Sequence, residues 1–145
     1  MIGGAALLAG GHLVHADPGA WLPAGTRRFA HHDESSAWFD EAVIRLKGRY
    51  PANGGRVPYG GKRLAAAADV TDAQLRQSID QQLGPRWRRA PSLDSGSTDL
   101  QLYVWEPAGG APARFYALMA WQHTMKAVDG TVYRPLQTMY VEAVR

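Results

Sequence analysis

The densest run of groups able to do chemistry is HHDE, His31, His32, Asp33 and Glu34. Imidazole and carboxylate side chains move protons near neutral pH, and they ligate divalent metals. His123 is the natural distant addition to such a set. The spacing argues against a metal site. Neighbours on a strand face opposite sides, and a metal-binding helix sets its ligands three or four apart. HHDE therefore reads as a solvated loop whose acids lead into a helix. The chain contains no GxSxG, no HExxH and no phosphate-binding glycine loop feeding a helix. No metal and no cofactor is expected.

Three other groups of residues remain. His123 falls in a long apolar segment, where an acid such as Glu106 or Glu142 would orient it as an acid–base group in a pocket between helix and sheet. PRWRR places Arg86, Arg88 and Arg89 around Trp87. Arginine beside an aromatic ring stacks on bases, holds phosphate or meets an anionic surface. The bland alternative tucks Trp87 into the core and leaves the arginines in water. Finally, Tyr103, Trp105 and Trp121 are large rings on strand-like segments, and such rings anchor interfaces as well as cores.

Composition narrows the field. There is no cysteine, so disulfides, thiolate metal sites and a cysteine nucleophile are excluded. A net charge of +3 over 145 residues is mild, and nucleic-acid binders usually carry a denser basic stripe. Hydrophobic residues make up 46% and charged residues 20%, ordinary values for a globular domain. A chain of this length buries roughly 70% of its unfolded surface and needs no staple.

The elements that must position these residues are legible in part. Phe39, Ala42, Val43 and Leu46 follow helical spacing, with Asp33, Ser35 or Ser36 as cap and Gly48 just past the end. VTDAQLRQSIDQQLGP carries a capping box, Thr71 with Gln74, flanked by the staple pair Val70 and Leu75. Leu75, Ile79 and Leu83 form its apolar stripe, and Gly84-Pro85 ends it. Thr26 to Ala30 reads as a short strand, and Pro51 to Lys62 as loop.

From Leu100 the period becomes two. Leu100, Leu102 and Val104 oppose Gln101, Tyr103 and Trp105. In the next segment Phe115, Ala117, Met119 and Trp121 oppose Tyr116, Leu118 and Ala120, so both faces of that strand are covered. Asp129-Gly130 signals a two-residue hairpin. That turn would set Ala120 near Met139 and Leu118 near Val141. Pro135 belongs on an edge or at a bulge.

The opening residues 2–16 lack any acid, Lys or Arg, and Val14-His15-Ala16 suits cleavage by signal peptidase. Residues 1–16 are expected to be the remnant of a leader, and residues 17–145 a single α+β domain. The expected compartment is periplasmic or secreted, with cytoplasmic as the alternative. Helices first and strands last argue α+β: N-terminal helices packed on a C-terminal antiparallel meander of three to four strands. The layout is similar to cystatin-like and NTF2-like shapes by analogy alone.

The expected function is binding without catalysis, to a protein or small molecule, through an aromatic sheet surface of Tyr103, Trp105, Trp121 and His123. The alternatives are a pocket enzyme using His123, and an anionic or nucleic-acid partner on Arg86, Trp87, Arg88 and Arg89. Nucleic acid is the least favoured of these, and no membrane span is expected.

Overall fold

The computed structural model describes residues 21–29, 32–50, 62–91, 93–109 and 115–141. The elements in chain order are β1 (Arg27–Arg28), α1 (Ser36–Arg49), β2 (Lys62–Ala67), α2 (Asp72–Leu83), β3 (Trp87–Arg89), β4 (Leu100–Pro107), β5 (Phe115–Trp121), β6 (Met125–Lys126) and β7 (Val132–Val141). The fold is α+β. Among the described residues its strands form one seven-stranded sheet, in the order β1-β2-β7-β5-β4-β3, with β6 also on β7. Every pairing is antiparallel.

The expected meander of three to four strands is therefore too small. Nor do the helices all precede the sheet: β2 separates α1 from α2, and β1 precedes both. The short strands β1, β3 and β6 carry too few residues to show a clear period.

Each helix covers one face of the sheet. On one side Phe39, Ala42 and Leu46 of α1 pack with Leu100, Leu102, Val104, Phe115, Ala117, Met119 and Trp121. On the other, Leu75, Ile79 and Leu83 of α2 pack with Trp105, Tyr116, Leu118, Ala120, Leu136 and Tyr140. Trp21 joins this second core and stacks on Tyr116 at 5.0 Å. The two sets are the alternate residues of β4 and β5, as the period of two requires. All seven residues of β5 are buried, which fits a strand covered on both sides.

The ends of α2 match its sequence signals. Thr71 Oγ1 accepts from the Gln74 amide at 3.1 Å, and Gln74 Oε1 accepts from the Thr71 amide at 2.9 Å. Gly84 takes a φ of 80°, open to glycine at little cost. The start of α1 is built differently. Ser35 is the cap residue but makes no side-chain cap bond. Instead Asp33 Oδ1 accepts from the Ser35 amide at 2.9 Å and from its hydroxyl. Gly48 lies inside α1, which ends at Arg49.

The hairpin register differs from the sequence expectation by three residues. Ala120 faces Leu136, and Leu118 faces Thr138. One residue of this shift comes from the turn. The Ala127 amide donates to the Thr131 carbonyl at 2.8 Å, leaving Val128, Asp129 and Gly130 as a three-residue loop. Gly130, at φ 90°, supplies the left-handed residue such a loop needs.

The other two residues come from a break after Trp121. β7 is paired by β5 up to Leu136 and by β6 from Tyr133, and Gln122, His123 and Thr124 loop out between. Pro135 sits in a central strand opposite that break, paired with Ala65 on its other side. A proline has no N–H for a ladder. The carbonyl of Trp121, one step past the last β5–β7 pair, accepts instead from Arg134 Nε at 3.1 Å and Nη2 at 2.9 Å. The bulge half of the Pro135 expectation holds, and the edge half does not.

Candidate functional site

The expected aromatic surface does not exist as a surface. Trp105 is 1% exposed and Trp121 is 4% exposed. They belong to opposite cores, because Trp121 pairs with Leu100 and shares its face. Tyr103 is half-buried on the α2 side. Its hydroxyl donates to Asp72 Oδ2 at 2.5 Å, and the Arg76 guanidinium lies 4.6 Å from its ring centre. Two helices, one per face, consume the rings that a singly covered sheet would have left open.

His123 lies beyond the end of β5, on the looped-out segment, and its side chain is 57% exposed. Its Nε2 is 2.7 Å from Asp99 Oδ1. The oriented partner is thus Asp99. Glu106 is buried elsewhere, and Glu142 lies outside the described residues. His123 lines neither of the two grooves described below. Core side chains pack between each helix and the sheet, and among the described residues His123 belongs to neither core. His32 is exposed, and His31 lies outside the described residues. Among the described residues no three His, Asp or Glu converge on a point that could hold a metal.

Three buried polar clusters escaped sequence reasoning. Arg134, 7% exposed, holds Asp72 Oδ1 at 2.5 Å and the Val70 carbonyl at 2.9 Å. Asp72 also accepts from Tyr103 and from Gln122 Nε2. Burial works to raise the Asp72 pKa, but these donors outweigh it and hold the carboxyl below its ordinary range. Burial, then the bond to Asp72, pushes the Tyr103 hydroxyl up to about 12.

The second cluster joins the start of α1 to the sheet. Asp33 accepts from the Tyr133 hydroxyl at 3.0 Å and faces Arg63 at 3.6 Å. In the third, Glu106 is 2% exposed and accepts from the Tyr50 hydroxyl at 2.5 Å. Arg49 and Arg88 stand 3.6 and 3.5 Å from its two oxygens. Burial and the bond to Glu106 raise the Tyr50 pKa. A buried carboxylate needs partners of this kind, since an unpaired one costs several kcal/mol. These clusters join residues far apart in sequence, and no local pattern announces them.

PRWRR has a definite place. Trp87 is buried in the α2-side core, and Arg86, Arg88 and Arg89 are exposed. β3 is the last strand of the sheet on this side. The Ala90 amide donates to the Val104 carbonyl at 2.8 Å, and the Ala108 amide to the Arg86 carbonyl at 2.7 Å. Residues 86, 88 and 90 therefore turn their backbone towards β4, and the alternate residue Arg89 turns its amide and carbonyl outward. Among the described residues no strand lies on that outer side.

Arginines crowd this edge from both faces. Arg88, with Arg49 beside it, lies on the α1 side around Glu106. Arg89 lies on the α2 side, where its Nη2 meets Asp80 Oδ2 at 2.5 Å. Asp80 also accepts from Trp105 Nε1 at 2.7 Å. Burial opposes ionisation of Asp80, but the bonds from Arg89 and Trp105 prevail and lower its pKa. Among the described residues, Glu106 and Asp80 are the acids paired with Arg49, Arg88 and Arg89, so the described part of the edge carries more cations than acids.

A shallow groove of about 460 Å³ runs beside the edge, with Asp80, Gln81, Leu83, Trp87, Arg89 and Trp105 among its walls. A second, of about 430 Å³, lies across α2 and is lined by Pro23, Asp69, Gln74, Gln77 and Ser78 among others. No helix of the described residues is long and apolar enough to cross a membrane. No family model, no curated protein and no solved structure matches the chain.

Proposed function

We propose that this chain is a small non-catalytic interaction domain that meets a protein partner along the arginine-rich edge of β3 and the groove beside it. One observation carries the reading. A helix packs on each sheet face, while among the described residues the unpaired edge sets Arg49 and Arg88 around the buried Glu106 and Arg89 against Asp80, with Arg86 exposed beside them. The aromatic residues contribute by fixing that edge: Trp87 roots β3 in the core, and Trp105 orients the Asp80 that holds Arg89. The exposed His123–Asp99 pair, outside both grooves, gives no support to a catalytic reading. Export belongs to the same proposal and rests on the leader-like pattern of residues 2–16 alone.

Native complex size tests this. In extract from the source cell, the protein should elute as a larger species, and Arg86→Glu combined with Arg88→Glu should return it to monomer size while its fold is intact. A larger species that survives both substitutions removes the edge from the account.

A further inference from the structure

We infer that the partner presents an acidic, extended segment that adds to the sheet as a further strand on the outer side of β3. The inference rests on the reading of β3 as the contact edge and adds the chemistry of what occupies it.

The backbone supplies the first half of the argument. Among the described residues β3 is an outermost strand, and alternation along it turns the Arg89 amide and carbonyl away from β4. Further along the chain Leu93 also bridges to Leu102 of β4. An extended segment laid along the outer side of β3 would take main-chain hydrogen bonds, which are indifferent to sequence, and would be selected by its side chains.

Charge supplies the second half. A sheet edge lined by cations repels another copy of itself, the usual defence against edge-to-edge aggregation. It also selects for acid. Arg88 and Arg49 project on the α1 side and Arg89 on the α2 side, so an added strand meets guanidinium whichever way its alternate side chains point. Glu106 and Asp80 do not cancel this field. Glu106 is buried behind Arg49 and Arg88, and Asp80 is engaged by both Arg89 and Trp105. They hold the guanidinium groups while the side chains of Arg49, Arg88 and Arg89 stay 46%, 61% and 47% exposed. Charge-assisted bonds from oriented arginine are the strong class of hydrogen bond. On the α2 side the strand would also run along the groove walled by Leu83 and Trp87, which suits an apolar residue between acids.

The test uses the whole chain and a synthetic peptide in which Glu alternates with Val, measured by fluorescence anisotropy. The expected result is saturable binding that weakens as salt rises. Arg88→Ala lowers the affinity about tenfold, and Arg86→Ala also weakens it. Thermal unfolding of both variants confirms that they fold. N-methylation of alternate peptide amides removes the ladder donors but no charge, and lowers the affinity about tenfold or more.

Equal binding of the N-methylated peptide overturns strand addition and leaves only charge attraction. Displacement by a thymidine oligonucleotide at similar concentration also overturns the inference, by making the edge a general polyanion surface. Absence of peptide binding overturns it too. In that case a native complex still abolished by the Arg86 and Arg88 charge reversals leaves the contact edge standing, with a different occupant.

Discussion

Arg134 and Trp121 are joined where the sheet ladder fails: two N–H groups of one guanidinium, at 3.1 and 2.9 Å, cap a carbonyl that faces a proline. The same guanidinium holds Asp72 at the start of α2. One side chain therefore repairs a strand and docks a helix.

Loss of that side chain should be costly. Arg134→Met keeps the bulk but leaves the Asp72 carboxylate and the Trp121 carbonyl without their main donors. The expected loss is about 3–5 kcal/mol. Urea unfolding followed by tryptophan fluorescence measures it. A cost below about 1 kcal/mol would mean that the cluster is not what closes the break.

The pH dependence follows from the same cluster. Asp72 and Asp80 have folded pKa values below their unfolded values, so the unfolded chain binds more protons in acid. Their contribution is present above the unfolded value, about 4, and is lost as pH falls through the folded values. Tyr103 has the opposite sign of shift: its folded pKa is raised to about 12, so its contribution is intact below about 10 and is lost as pH climbs from there. Unfolding midpoints across pH should thus fall at both ends. Asp72→Asn should be less stable at neutral pH and should flatten the acid limb. An unchanged acid limb contradicts the assignment.

The buried rings separate stability from binding. Trp105→Phe removes the donor to Asp80 and should cost about 1 kcal/mol, whereas Trp105→Ala should cost about 3–5 kcal/mol. Trp121→Ala, in the opposite core, should cost as much. Trp121→Ala, away from the β3 edge, should leave partner affinity unchanged once folded protein is counted. Calorimetry and a binding isotherm on each variant check this. Lost binding by a fully folded Trp121→Ala would restore the aromatic surface that the fold denies.

The proposed export has its own measurement. Protein recovered from its source cell should begin at Asp17, and intact-mass spectrometry reads this directly. A mature chain that keeps residues 1–16 rules out cleavage there.

How legible this molecule was depends on the range of each interaction. The capping box of α2 and the alternation of β4 and β5 are written in adjacent residues, and both stand as read. The hairpin register was not legible, because it depends on a three-residue turn and on a break opposite Pro135. Those two features sum to an odd shift, and an odd shift exchanges the faces of every paired side chain. The exposure of Trp105 and Trp121 depended on how many helices cover the sheet, which neither strand encodes. Tyr50 with Glu106, and Arg134 with Asp72, are pairs separated by 56 and 62 residues. Only the folded sheet brings them together. PRWRR stood out in the sequence, but its meaning came from its place on the last strand.

The central claim is that the outer side of β3 receives the partner's backbone. Amide hydrogen exchange on the chain, alone and saturated with the Glu–Val peptide, tests it residue by residue. The account predicts that the Arg89 amide slows on binding while amides of the β6–β7 hairpin keep their rates. Unchanged exchange at Arg89, with protection appearing elsewhere on the surface, would contradict it.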